Sequence, residues 1–228
     1  MTTREPLAGL SDIDWSNLEH AYGSRYSASS AVVPFLYRLA ISPKTLSREN
    51  ILQLLTRLTI GEPTHHWLRG IDVQEWREDI ATYQAPGWCE EEETRRLGWI
   101  NEGADEAERK SRKMRSKLFS PPEDIVKSSV AELGVCDAVK DGLQHMIDLL
   151  KDDSAAVRQE AAYALAWFPE ELDRIHPALL NLIYSEANPV VQATGLIAPG
   201  QLQTRSEDDL DGTPVVRCLE SVYVNGSA

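Results

Sequence analysis

The side chains of this 228-residue chain that could do chemistry are its five histidines, three cysteines and thirty-six carboxylates. His65 and His66, with Cys89 and the acidic run Glu90, Glu91, Glu92 and Glu93, could be drawn together as a metal site. A metal needs ligands that converge in tetrahedral or octahedral geometry, and adjacent residues of a helix point about 100° apart. A loop pair packing beside Trp67 accounts for the same histidines, so no metal or other cofactor is expected. The four glutamates offer no acid–base pair, because consecutive carboxylates fan out into water, whereas such a pair needs two carboxyls in different environments. The chain contains no Gly-x-Ser-x-Gly elbow, phosphate-binding glycine loop or dinucleotide fingerprint. Cys89, Cys136 and Cys218 are an odd, widely spaced set that writes neither a disulfide framework nor a zinc ribbon. No catalytic residue is assigned.

Binding chemistry is better represented. Two of the six tryptophans, Trp88 and Trp99, lie in a charged and weakly periodic stretch. An exposed tryptophan there would anchor a protein partner, and a buried one would plug the edge of an irregular repeat. Just beyond comes the one basic run, Arg109, Lys110, Arg112, Lys113, Arg115 and Lys117. It could contact phosphate, or form a solvated element that salt-bridges to the neighbouring Asp105, Glu106 and Glu108. The formal charge of −13 argues against duplex nucleic acid as the main partner, since phosphate binding is driven by positive charge. The candidate partner-binding residues are therefore Trp88, Trp99, Arg109, Lys110, Arg112 and Lys113.

The elements that must position them read as helices. Leu143, Met146, Ile147 and Leu150 form one apolar face, and Val157, Ala161, Ala164, Leu165 and Phe168 form a second. The polar turn between them offers Asp153 or Ser154 as an N-cap, so residues 142–169 predict an antiparallel helix pair. The pattern recurs 34 residues later, with Pro177, Leu180, Ile183 and Val191 opposite Leu143, Met146, Leu149 and Val157, and Asn188-Pro189 as the turn. It also recurs 110 residues earlier, where Val33, Leu36, Leu39 and Arg48 stand opposite Leu143, Met146, Leu149 and Arg158. Ser42-Pro43 marks that turn and Ser47 is a candidate cap. Further helices are predicted around Trp15, Leu18 and Tyr22, after Asp72 as a cap (Val73, Trp76, Ile80, Tyr83), and from a capping box at Ser120-Pro121-Pro122-Glu123. Residues 90–118 read as a charged helical insert. Strand-like alternation appears only over residues 215–224. The expected fold class is all-α.

Residues 31–40 (AVVPFLYRLA) and 152–171 (DDSAAVRQEAAYALAWFPEE), with an Asp in the turn and a Val-Arg pair opening the second helix, resemble the HEAT-repeat superfamily, including its short phycobilin-lyase-type repeats. More narrowly, Asp12-Ile13-Asp14-Trp15, His20-Ala21-Tyr22-Gly23 and Val33-Pro34-Phe35-Leu36 are similar to a group of bacterial and fungal HEAT-repeat proteins. The resemblance implies an irregular α-solenoid over residues 10–198, with clear pairs at 31–60, 142–169 and 174–198 and a separate acidic tail over 199–228. Two departures stand out. The stretch between Gly23 and Tyr26 is short where such proteins carry another helix pair, and Ala198-Pro199-Gly200 is expected to break the last helix. Some members of the superfamily are di-iron hydroxylases built on His-Glu dipeptides, which this sequence lacks.

A solenoid presents a long concave surface suited to an extended partner. The resemblance and the charge together imply a non-enzymatic protein-interaction or scaffold module with a basic or extended protein partner. The alternatives are a lyase- or isomerase-like enzyme or small-molecule carrier, with a pocket near His66, Trp67, Tyr83 and Trp88, and a shortened paralogue without activity of its own. Nothing resembles a signal peptide or a membrane span, so a cytoplasmic location and no membrane partner are expected.

Overall fold

The computed structural model describes residues 28–61, 72–118 and 120–203, and among these it holds ten α-helices and no strand. They are α1 (Ser29–Ile41), α2 (Arg48–Ile60), α3 (Val73–Tyr83), α4 (Trp88–Asn101), α5 (Glu106–Ser116), α6 (Pro122–Asp141), α7 (Leu143–Leu149), α8 (Ala155–Leu165), α9 (Leu172–Ser185) and α10 (Pro189–Gln203). The expected helix around Trp15 and the alternating run at 215–224 lie outside the described residues. No described helix is long and apolar enough to cross a membrane.

Burial follows the apolar spacing. Val33, Leu36, Leu39, Ile51, Leu55, Leu143, Met146, Leu149, Val157, Ala161, Ala164, Leu165 and Phe168 are all buried, and Trp167 is 1% exposed in the same core. Three helix hairpins result, α1–α2, α7–α8 and α9–α10. Although α1–α2 and α7–α8 are separated by more than 80 residues, they are neighbours: α2 packs on α8, and α8 packs on α10. The intervening α6 lies against α1, α2, α3 and α4.

The contact of α1 with the α6–α7 junction depends on one glycine. The Tyr37 hydroxyl donates to the buried Val139 carbonyl at 2.7 Å. A Cβ on Gly142 would lie 2.1 Å from Tyr37 Cε2, so the ring and the backbone approach as closely as they do because no side chain intervenes.

A second set of contacts repeats from one hairpin to the next. Arg48, at the start of α2, donates in a fork to Asp152 in the α7–α8 turn, at 2.6 and 2.7 Å. Arg158, its counterpart in α8, donates in the same way to Glu186 in the α9–α10 turn, at 2.6 and 2.9 Å. Each acid also accepts the amide two residues on, Ser154 for Asp152 (2.9 Å) and Asn188 for Glu186 (2.8 Å). One side chain thus fixes both the turn and its attachment to the preceding hairpin. Burial pushes the Asp152 carboxyl up, but hydrogen bonds from Arg48 and Ser154 and the charges of Arg48 and Arg158 outweigh it and leave it below its ordinary value. The hydrogen bonds from Arg158 likewise hold Glu186 low. The series ends where the residue types change: Ser42 replaces the acid in the first turn, and Gln192 replaces the arginine in α10 and donates to the Ile183 carbonyl instead.

Four local expectations need correction. Helix α10 runs through Ala198-Pro199-Gly200 to Gln203 rather than breaking there. An interior proline costs about 3 kcal/mol through a lost amide bond and a clash with the carbonyl four residues back. Here that residue is Gly195, closely packed against Ile183, while Ala198 and Leu202 on either side of the proline are buried. In the third hairpin the buried face of α9 is Ile175, Leu179, Leu182 and Ile183, whereas Pro177 is exposed and Leu180 only partly buried. Met146 and Leu149 therefore correspond to Leu179 and Leu182, one residue earlier than expected, and the third turn absorbs the difference. Ser47 stands at the α2 cap position in a left-handed conformation (φ 53°) with no side-chain capping bond. Ser120 is not the cap of α6: Pro122 takes the first helical position and Pro121 the cap, again without a side-chain bond.

Candidate functional site

Residues 90–118 form two helices, α4 and α5, folded back on each other. Gly103 makes the turn, and a Cβ there would lie 2.7 Å from Arg109 Cγ and 2.9 Å from its amide nitrogen. Asp105 caps α5 by accepting the Glu108 amide at 2.8 Å, and Glu108 reaches back to the Ala104 amide at 2.8 Å. That backbone bond, followed by Arg112, holds the Glu108 carboxyl below its ordinary value. Helix α4 rests on α3 and α6, whereas α5 packs chiefly on α4 and so lies at the outside of the molecule.

Trp88 and Trp99 lie on one face of α4, since eleven residues complete almost a whole number of turns and separate them by about 16 Å. Neither is exposed. Trp88 opens the helix and packs on Tyr83, with ring centroids 4.9 Å apart. Trp99 lies under Arg112, whose guanidinium is 5.4 Å from the ring centroid and donates to the Trp99 carbonyl at 2.6 Å. Arg112 also bonds Glu108 twice, so it pins α5 to α4 and has little left to offer a partner.

The other candidate residues face outward. Arg109, Lys110 and Lys113 are exposed, as are Arg115 and Lys117, and none makes an ion pair among the described residues. Glu108 is engaged with Arg112, whereas Asp105 and Glu106, one turn before Arg109 and Lys110, make no ion pair among the described residues. Met114 and Leu118, at i and i+4, are 69% and 85% exposed beside the lysines. The hairpin thus carries a cationic stripe next to a small apolar one.

No other described helix exposes such a run of cations. No group of three or more His, Cys, Asp or Glu among the described residues could hold a metal. Desolvation, with Glu123 and Glu90 nearby, pushes the Cys89 thiol up and makes it a poor nucleophile. Cys136 is buried in the core. Burial, opposed by a hydrogen bond from Gln53 and reinforced by Glu49, raises Glu160, which lies between α2 and α8. His20, His65, His66, Trp67 and Cys218 lie outside the described residues, and with them half of the conceivable pocket near Tyr83 and Trp88. Sequence reasoning missed Met114 and Leu118 as surface residues and took residues 90–118 as one charged stretch. The signals that divide it are Gly103 and the Asp105/Glu108 spacing of a capping box. No family model, curated protein or solved structure matches the chain.

Proposed function

We propose that the chain is a non-enzymatic protein-interaction module: a short solenoid of HEAT-like helix pairs from which the α4–α5 hairpin presents a docking surface for an acidic partner segment. The observation that carries this reading is the row of exposed cations at Arg109, Lys110, Lys113 and Lys117, without an ion pair among the described residues, with Met114 and Leu118 beside it. Leaving several like charges adjacent and unpaired is unfavourable for the free chain and becomes favourable when an acidic partner neutralises them. The solenoid reading draws its support from α2, α8 and α10 packing in succession and from the repeated arginine–acid contacts.

The overall charge favours a basic partner, but the charge at the hairpin has the opposite sign. Beyond a Debye length of about 8 Å exposed charges are largely screened, so the local stripe governs what docks there. The apolar pair tells against a nucleic-acid backbone, which would leave Met114 and Leu118 without a counterpart. It is also too small for stable insertion into a bilayer.

The test is capture of partners from native lysate by the full chain and by a Lys110→Glu/Lys113→Glu/Lys117→Glu variant. The three side chains are exposed, so the fold should be unchanged. A stoichiometric partner held by the wild type, released by salt and absent from the variant is the expected result. Equal capture by both proteins, or none by either, would sink the proposal.

A further inference from the structure

The outer face of the last hairpin carries almost no charge. From Ile175 to Gln203 the only Asp, Glu, Lys or Arg is Glu186, in a chain that is 26% charged. Glu186 is 4% exposed and paired with Arg158. Helix α10 therefore carries no charge at all, although Val190 is 56% and Ile197 67% exposed, and Ala193 is exposed between them. Gly200 continues the same stripe at i+10, and a Cβ added there would meet nothing within 4 Å. The exposed faces of α4 and α5 are crowded with charge, and α1, which also exposes Val32, Phe35 and Ile41, carries Arg38 among them, so α10 is the one charge-free α-helix among the described residues.

From this we infer that α10 is the contact surface for a second copy of the chain, packed antiparallel about a two-fold axis. An isologous contact brings each residue near the axis against its own copy, so any charge there would meet its like. The order of side-chain sizes fits the two-fold. With the axis at the level of Gly195, Val190 falls opposite Gly200 and Ala193 opposite Ile197, so both large residues meet small ones. One register satisfies both pairs, which is the interdigitation that close helix packing requires. Continuation of the stack head to tail is disfavoured, because Gln192 offers no cation where Arg158 supplies one a hairpin earlier.

The inference is tested by sedimentation velocity on the full chain from about 1 to 100 μM, a range that spans ordinary homodimer affinities. The wild type should approach twice 25.5 kDa. Ile197→Glu should raise the dissociation constant roughly thirty-fold or more, as expected for a central interface residue. Ala193→Ile alone should weaken the dimer about ten-fold by overpacking. The exchanged variant, Ala193→Ile with Ile197→Ala, puts the large residue back opposite a small one and should restore affinity to within about three-fold. All the substituted positions are exposed in the single chain, so circular dichroism and melting should not change. A wild type that keeps the single-chain mass throughout, with α10 bare or covered by residues 204–228, overturns the inference. So does a dimer indifferent to Ile197→Glu, or one the exchanged variant fails to restore.

Discussion

Replacing Asp152 by asparagine isolates the contact that ties the first hairpin to the second. Asparagine keeps an oxygen for the Ser154 amide, so the turn is preserved, but the negative charge facing Arg48 is lost. The two side chains are 13% and 14% exposed, with a forked geometry of 2.6 and 2.7 Å. Fully exposed pairs contribute about 0.2–1 kcal/mol, whereas removing one partner of a buried pair costs about 3–5 kcal/mol. This pair lies between those limits, which places the loss for Asp152→Asn at about 2 kcal/mol. A double-mutant cycle with Arg48→Met should give a coupling of about 1.5 kcal/mol from urea denaturation midpoints at pH 7. The Arg77–Asp137 pair supplies the control: with 38% exposure on each side it should couple by less than about 0.5 kcal/mol. The folded carboxyl of Asp152 lies below its ordinary value. Its contribution is therefore fully present above the unfolded carboxylate value near pH 4 and is lost as the pH falls through the lower folded value, and the variant and wild type should converge there. A coupling no larger than that of Arg77–Asp137 would mean that the Arg48–Asp152 contact does not hold the two hairpins together.

Other perturbations follow from the same contacts. Gly142→Ala drives a Cβ into the Tyr37 ring and should cost about 3 kcal/mol, the upper end for overpacking, while Tyr37→Phe removes one hydrogen bond and should cost about 1 kcal/mol in the same denaturation assay. Glu160 shows the opposite pH behaviour to Asp152, because its folded carboxyl is raised. Glu160→Gln should therefore increase the melting temperature at pH 7, with the gain vanishing below pH 4. Arg112→Ala removes the pin between α4 and α5 and should hasten tryptic cleavage within residues 104–118, leaving global melting nearly unchanged.

The helices and their buried faces were legible in the sequence because apolar spacing reports burial directly, as at Val33, Leu36 and Leu39 and again at Leu143, Met146 and Leu149. The match of Arg48 to Arg158 was legible too, but not its meaning. That these arginines reach acids in the next hairpin depends on tertiary packing across 104 residues, which no local pattern encodes. Pro199 misled because propensity weighs the proline alone, whereas buried Ala198, Leu202 and Gly195 decide the outcome. At the candidate site, residue type could not separate Arg112 from its neighbours. Only the fold shows that Arg112 turns inward to Trp99 and Glu108 while Arg109, Lys110 and Lys113 are exposed, with no ion pair among the described residues. Trp88 and Trp99 are candidate anchors by type, and the fold places them half-buried, one against Tyr83 and one under Arg112.

Zero-length carbodiimide cross-linking in native lysate joins a lysine amine to a carboxylate only when the two are in contact. Lys110, Lys113 and Lys117 should couple to aspartates or glutamates of one partner protein, and raised salt should abolish the products. Lys44 and Lys151, exposed elsewhere on the surface, should give none. Cross-links spread evenly over all exposed lysines, or concentrated away from α5, would contradict docking of a partner on α5.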